Sequence, residues 1–394
     1  YGDHRDLHRV DRRQRQMCIR DRFKSLPLYL FIACASLFLT SCSDDDDVVV
    51  DNTVTPPSTY KFERNGKNTV SHGGQTSRLK MASELYSGMK SSSSTKAGLN
   101  NMFNNGTGFS DATLNGTGKK IGSKTFASSV ASSTVKPKFD AMITDFADNV
   151  IPNWSTTAAN GTAGKMTDAG GRTVYINAKG HELTQLFTKG LIGGMTTDQI
   201  VNGYLTAAKL DGGTNIADNN AGTLVEGKDY TNMEHYWDEG FGYLYGEEAD
   251  VKNPTLGKGV LLSKYAKKVN DSNSPGIGKI IYDAFIKGRA AIVAKNYTVR
   301  DAQAKIIQMN ISKIIGYKAH DYLNDYVTKA AAGTPADAIH ALSEGYGFVM
   351  SLQVTNDGTG NPYFTNTEAN AMLTKLDNFW TVSSADCTAM ANEI

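Results

Sequence analysis

His235 and Glu239 stand four residues apart in "EHYWDEGFGYLYG", and His340 and Glu344 repeat that spacing in "IHALSEGYGFVMS". Aligned on their histidines, both stretches read His-x-x-x-Glu-Gly-aromatic-Gly-aromatic, about 105 residues apart. Residues four apart share one face of a helix, so each pair presents an imidazole beside a carboxylate. Two such faces brought together would offer the donor set with which helix bundles hold iron, zinc or manganese. The same residues also fit a plainer role, a buried His-to-Glu hydrogen bond that fixes helix orientation. The plainer role is the better founded of the two, because buried polar groups usually satisfy one another and no single helix here supplies three ligands.

Other chemistry is thinner. Asp238, His181 and Glu182 are further candidates for lining a groove, but His181-Glu182 followed by Gln185 lacks the second histidine of a zincin motif. Gly222 to Lys228 spells G-x-x-x-x-G-K, yet Asp229 follows and no strand precedes it. Two S-x-x-K matches, Ser87 with Lys90 and Ser93 with Lys96, fall in a serine-rich segment and read as chance. Tyr236, Trp237, Phe241 and Tyr243 read as core rather than as a stacking surface for ligand. No residue is assigned a catalytic role.

The elements that must position the repeated residues are helices. In "KFDAMITDFADNVI" apolar side chains fall at Phe139, Met142, Ile143, Phe146, Val150 and Ile151, a three-four spacing that makes one buried stripe. The stretch from Arg300 to Lys329 repeats it with Ile306, Ile307, Ile314, Ile315, Tyr322, Leu323, Tyr326 and Val327. No long run of strict alternation calls for an extended sheet. Capping-box spacings at Thr196 with Gln199, Thr231 with Glu234, and Thr365 with Glu368 mark helix starts, and Thr334-Pro335-Ala336-Asp337 marks another. Both repeated motifs therefore sit near the beginning of a helix. Residues 87–133 are crowded with Ser, Gly, Asn and Thr and predict a long loop with short helical pieces, and Leu210 to Asn232 predicts a connector.

Glycine inside a helix costs about 1 kcal/mol relative to alanine, so two glycines cost each motif helix roughly 2 kcal/mol. A helix accepts that where another backbone or a ligand comes close. Repetition of so specific a pattern implies internal duplication. The expectation is an all-α protein of two duplicated helical-bundle lobes, about 60–250 and 251–394, related by a pseudo-twofold, with the two motif helices packed on each other.

Ahead of this domain the composition changes. Seven of the twelve arginines lie within residues 1–22, a stretch without lysine that reads as a non-native scar in preference to a basic nucleic-acid-binding arm. Residues 23–41 read as a signal peptide whose apolar run, Leu26 to Leu39, is too short for a stable membrane anchor. Leu39-Thr40-Ser41-Cys42 resembles the bacterial lipobox, which makes Cys42 the lipidated first residue; an ordinary signal peptide ending near a cysteine is the alternative. The "SDDDD" that follows resembles an export signal for the outer face of the outer membrane, the alternative being a solvated acidic spacer, and residues 42–59 with Pro56-Pro57 read as a tether.

Removing the first 41 residues takes away eight basic and four acidic groups, so the formal charge of +1 becomes −3 and nothing basic remains to attract nucleic acid. Cys18 and Cys34 leave with that leader and Cys42 is lipidated, so Cys387 has no intramolecular partner and neither a disulfide framework nor a thiolate metal site is available.

"VSHGGQTSRLKMASEL" (Val70 to Leu85), "GHELTQLFTKGLIGG" (Gly180 to Gly194) and the two motifs resemble a family of uncharacterised Bacteroidota and marine-bacterial lipoproteins, a domain of unknown function, over nearly the whole chain after the leader. More distantly the pattern is similar to imelysin-like proteins, whose hallmark is G-x-H-x-x-E. Met233 and Asp238 replace the glycine and glutamate of that hallmark, so the resemblance implies the duplicated helical fold and an outer-membrane or periplasmic setting and carries no metal role with it. Three function classes follow. The first is a surface-anchored lipoprotein that binds a metal, metal complex or peptide between its lobes; the second is a helical scaffold or accessory partner of an outer-membrane transporter; the third is a metallohydrolase, which needs an open metal site and a general base that the sequence does not display.

Overall fold

The computed structural model describes residues 54–129 and 132–394. The leader, the signal peptide, Cys42 and the acidic run Asp44 to Asp47 lie outside the described residues. Ten helices of nine or more residues carry the fold: α1 (Gly73–Gly88), α2 (Ser132–Asp145), α3 (Leu183–Leu191), α4 (Asn232–Tyr245), α5 (Leu262–Asp271), α6 (Ile277–Val293), α7 (Tyr297–Ala331), α8 (Pro335–Ser351), α9 (Asn366–Lys375) and α10 (Ser384–Glu393). The strands form two small antiparallel hairpins, β1 (Glu63–Arg64) with β2 (Lys67–Asn68) and β3 (Gly164–Thr167) with β4 (Thr173–Ile176). The described chain is therefore all-helical in class. Among the described residues no helix is long and apolar enough to cross a membrane.

The 35 residues of α7 span about 50 Å at 1.5 Å per residue. Ile307, Ile311, Ile314, Ile315, Tyr322 and Leu323 are buried along it in the three-four rhythm expected from sequence. Helices α5, α6, α8 and α10 all pack on α7. Helix α2 buries Phe139, Met142 and Ile143, then widens into a π turn at Phe146–Val150 and a 3-10 turn at Ile151–Asn153. Helix α3 likewise continues through π turns at Ile192–Thr197 and Gln199–Tyr204. Short helical pieces at Lys96–Asn100, Asn101–Asn105 and Ala112–Asn115 occupy the predicted long loop.

Local signals are mostly read correctly by the chain. Thr231 with Glu234 and Thr365 with Glu368 form complete capping boxes at α4 and α9. Thr196 does not begin a helix: it is buried within the first π turn, and its hydroxyl donates to the Ile192 carbonyl at 2.5 Å. At α8 the proline sits at the helix start as expected, but the Thr334 hydroxyl turns back to Lys329. The cap is supplied from afar. Asp168, in the turn between β3 and β4, accepts from the backbone N–H of Ala336 at 2.9 Å and of Asp337 at 2.7 Å, and Arg172 of the same turn pairs with Asp337.

The expected pseudo-twofold between two lobes is not confirmed. One continuous apolar cluster runs from Tyr60 to Ala391, and α3 of the first half packs on α8 of the second while α4 packs on α6. The core thus does not divide near residue 250, and a pseudo-twofold between lobes is not established by the packing. The motif helices are not a packed pair either: α4 lies against α1, α6 and the π turn at Gln199–Tyr204, and α8 lies against α3, α7 and α9.

Candidate functional site: two polar clusters built on the repeated motif

The glycines explain why each motif helix chooses other neighbours. A Cβ on Gly242 would stand 2.4 Å from His72 Cβ, and one on Gly347 would stand 2.4 Å from Lys189 Cβ and 2.8 Å from the Gly190 backbone nitrogen. The second motif glycine is therefore where α1 crosses α4 and where α3 crosses α8. The first motif glycine has a tyrosine nearby in both cases, although Leu205 comes closest to Gly240, at 3.0 Å. A Cβ on Gly240 would lie 3.7 Å from Tyr204 Cβ, and one on Gly345 would lie 3.4 Å from Tyr322 Cβ.

Around these crossings each histidine and glutamate acquires a matching set of partners. In the first cluster His235 Nε2 is 3.9 Å from Glu239 Oε1, which accepts from Gln75 Nε2 at 2.8 Å and from the Tyr204 hydroxyl at 3.3 Å. Lys124 Nζ donates to the Tyr204 hydroxyl at 3.1 Å. In the second, His340 Nε2 is 3.9 Å from Glu344 Oε2, and Glu344 Oε1 receives Lys189 Nζ at 2.9 Å and the Tyr265 hydroxyl at 3.0 Å. Lys268 Nζ donates to the Tyr322 hydroxyl at 3.1 Å, and Tyr322 is also bonded to Glu344. Gln75 and Gln185 occupy the same third position of α1 and α3, and Gln185 Oε1 accepts from Lys189 Nζ at 2.8 Å.

The helix openings differ at one position. The residue preceding α1 is His72, beside His235; the residue preceding α3 is Glu182, whose Oε2 lies 2.7 Å from His340 Nδ1. His235 Nδ1 instead meets the Ser71 carbonyl at 3.1 Å, with its ring stacked on Tyr230 at 4.6 Å.

Electrostatics follow from burial and these neighbours. Burial alone would raise the Glu344 carboxyl, but the Lys189 ammonium, His340 and the hydrogen bonds to it reverse that and hold it at about 2. Burial lowers His72, and the neighbouring His235 adds to the effect. Lys124 and Lys268 are each lowered first by burial and further by other cations nearby, while Glu239 and Glu344 respectively oppose the shift.

The four motif residues do not meet at one point. His235 with Glu239 and His340 with Glu344 belong to separate clusters, and among the described residues no group of three or more His, Cys, Asp or Glu side chains is placed to hold a metal ion. The arrangement has a physical reason. Glu182 and Glu344 address opposite ring nitrogens of His340, which point away from each other, so the three groups cannot share one ion. The Lys189 ammonium already occupies the face of Glu344 that a cation would need.

The groove candidates also move. Asp238 is fully buried and accepts from the Tyr60 hydroxyl at 2.7 Å, Ser71 N–H at 3.1 Å and Arg289 Nε at 3.1 Å. His181 is buried against Phe379 with Nε2 3.2 Å from the Leu376 carbonyl, and burial lowers its pKa to about 4. Glu182 alone of the three joins a motif cluster. Trp237, Phe241 and Tyr243 are core, with Tyr236 half-buried.

Sequence reading missed the buried Arg289, which bonds Asp238, Glu234 at 3.0 Å and Thr69 at 3.0 Å, while Arg64 closes on Glu234 at 2.9 Å. The signal was available as scarcity: beyond residue 22 the chain has only Arg64, Arg78, Arg172, Arg289 and Arg300 among many lysines. A planar five-donor fork is what a buried carboxylate network requires, and lysine cannot replace it.

An all-helical domain with two hairpins and two such clusters defines the class of protein. Residues 57–394 match the family described as Domain of unknown function (DUF4856), and the chain belongs to that family. No curated protein and no solved structure matches it, so the more distant resemblance to imelysin-like proteins rests on sequence motifs alone.

Proposed function

We propose that the chain is a lipid-anchored surface protein that binds a ligand without transforming it, and that its two His–Glu clusters are internal supports for the helices that shape the binding surface. The observation that carries this reading is the engagement of both motif carboxylates by donors from other elements: Gln75 and Tyr204 hold Glu239 Oε1, and Lys189 and Tyr265 hold Glu344 Oε1. A general base or metal ligand needs a free lone pair facing an open site, and the Oε1 oxygen of each carboxylate is spent on a helix crossing. The tether character of residues 42–59 and the lipobox-like Cys42 support anchoring, and the acidic run after Cys42 supports an outward-facing position.

The test has two parts. Cys42→Ala releases the protein from the membrane fraction, and protease added to intact cells removes the unaltered protein; protection on intact cells with cleavage after lysis contradicts surface exposure. Thermal shift of the full chain against iron, manganese and zinc salts, neutral saccharides and short peptides then separates the classes. Stabilisation by one class without turnover supports a binding protein. No stabilisation by any class favours the scaffold or transporter-partner reading.

A further inference from the structure

A pocket of about 390 Å³ opens on the surface, its lining ending three residues before Glu182 of the second cluster. Asp145, Asn149 and Asn153 line it from the end of α2 and its π and 3-10 extension; Gly161, Thr162 and Ala163 line it from the segment before β3, and Asn177, Ala178 and Lys179 from the turn after β4. Its side chains are amides, a carboxylate, a hydroxyl and an amine, with no large apolar residue among them.

These groups are already ordered. Asn177 Nδ2 donates to Asp145 Oδ2 at 2.7 Å and Asn149 Nδ2 to Asp145 Oδ1 at 2.8 Å. Asn153 Nδ2 donates to the Asn149 carbonyl at 2.8 Å, and Asn177 Oδ1 accepts from the backbone N–H of Lys179 and His181, each at 2.9 Å. Each amide nitrogen carries two N–H groups, so every asparagine here keeps a donor beyond these bonds, and Asn149 and Asn153 keep carbonyl lone pairs as well, whereas both lone pairs of Asn177 Oδ1 are taken. The charged groups are already engaged, though no cation among the described residues faces Asp145. Asp145 is bridged by two amides, and Lys179 Nζ is held by Asp377 at 2.8 and 2.9 Å. A site with many donors and acceptors, whose carboxylate is hydrogen-bonded by amides, suits a ligand rich in hydroxyls.

Aromatic rings adjoin residues that line the pocket. Trp154 follows Asn153 directly and stacks on Tyr175 at 3.6 Å with the planes 15° apart. Trp380 Nε1 donates to the carbonyl of Ala178 at 3.1 Å. Both indoles are only partly buried, and they are two of the chain's three tryptophans. Amphipathic rings beside a polar floor suit a pyranose, which shows C–H faces and hydroxyl edges. We infer that this pocket binds a neutral saccharide, its hydroxyls held by Asn149, Asn153 and Asn177 and its ring bordered by Trp154 or Trp380. The inference rests on the reading of the chain as a binding protein and names the ligand class for it.

The experiment is calorimetric titration of the full chain with glucose, galactose, mannose, N-acetylglucosamine and their oligomers, with tryptophan fluorescence followed in parallel. The expected result is saturable binding of at least one of them with a change in emission. Asn149→Ala and Asn153→Ala, on a half-open surface, should each weaken it about tenfold, the equivalent of one lost hydrogen bond of about 1.4 kcal/mol, with the melting temperature retained. Lys279→Ala, an exposed position on α6, should leave the affinity unchanged. Binding of none of these saccharides, binding indifferent to both asparagine variants, or a calcium ion in place of sugar overturns the inference. If saccharides fail while a peptide or metal stabilises the chain, the pocket assignment falls and the binding-protein reading stands; if every class fails, both fall.

Discussion

Lys189 reaches from α3 to set its Nζ 2.9 Å from Oε1 of Glu344 on α8, with the two side chains only 5% and 10% exposed. This contact lies at the same helix crossing where Gly347 lets the Lys189 Cβ approach. The glycine creates the closeness and the ion pair uses it. Removing one partner strands a buried charge, so Lys189→Ala should destabilise by about 3–5 kcal/mol. Denaturant unfolding measures this, and a loss below about 1 kcal/mol would show that the pair behaves as an exposed one.

Glu344 should also make the fold acid-sensitive. Its folded-state pKa of about 2 lies below its ordinary 4.5, so its stabilising effect is fully present above about 4.5 and is lost as pH falls from there towards 2. At roughly 1.4 kcal/mol per unit the full effect is on the order of 3 kcal/mol. Unfolding free energy measured across that window should fall in the unaltered chain and should fall less in Glu344→Gln, after the constant offset of the substitution.

The motif glycines should separate into two kinds. At Gly347 a methyl group meets side chain and backbone at 2.4–2.9 Å, so Gly347→Ala should cost about 1–3 kcal/mol. At Gly345 the nearest atom would be 3.4 Å away, an ordinary contact, so Gly345→Ala should be neutral or stabilise by up to about 1 kcal/mol through helix propensity. Equal losses at both positions would remove the crossing argument.

Asp168 predicts a long-range cap. Asp168→Ala leaves the N–H groups of Ala336 and Asp337 without their acceptor and should cost about 0.5–2 kcal/mol. Hydrogen exchange at those two amides should speed up, with α7 unaffected.

The outcome shows which features a sequence makes legible. Helix class, the buried stripes of α2 and α7, and the starts of α4 and α9 all follow from local spacing, because capping and amphipathicity are set within one or two turns. Gly242 and Gly347 correctly signalled close approach, whereas Gly345 has only ordinary contacts. Which helix approaches could not be read, because Gly242 and His72, or Gly347 and Lys189, are brought together only by tertiary packing. Thr196 misled because capping-box spacing also occurs inside a buried π turn. Of the candidate site, the four-residue His–Glu interval was visible, but at 3.9 Å neither pair forms the expected hydrogen bond, and the actual partners Ser71, Glu182, Gln75, Tyr204, Lys189 and Tyr265 lie on other elements and carry no spacing signature.

The central claim is that the repeated His–Glu motif supports helix packing. Melting of the full chain, purified without chelator, in the presence of iron, manganese or zinc salts tests it most directly. The account predicts an unchanged melting temperature for the unaltered chain, together with a metal-independent drop in His340→Ala, whose loss leaves Glu182 without its 2.7 Å partner. A metal-dependent rise that grows with concentration, as expected for a ligand bound only by the folded state, and that disappears in His340→Ala or His235→Ala, would contradict it.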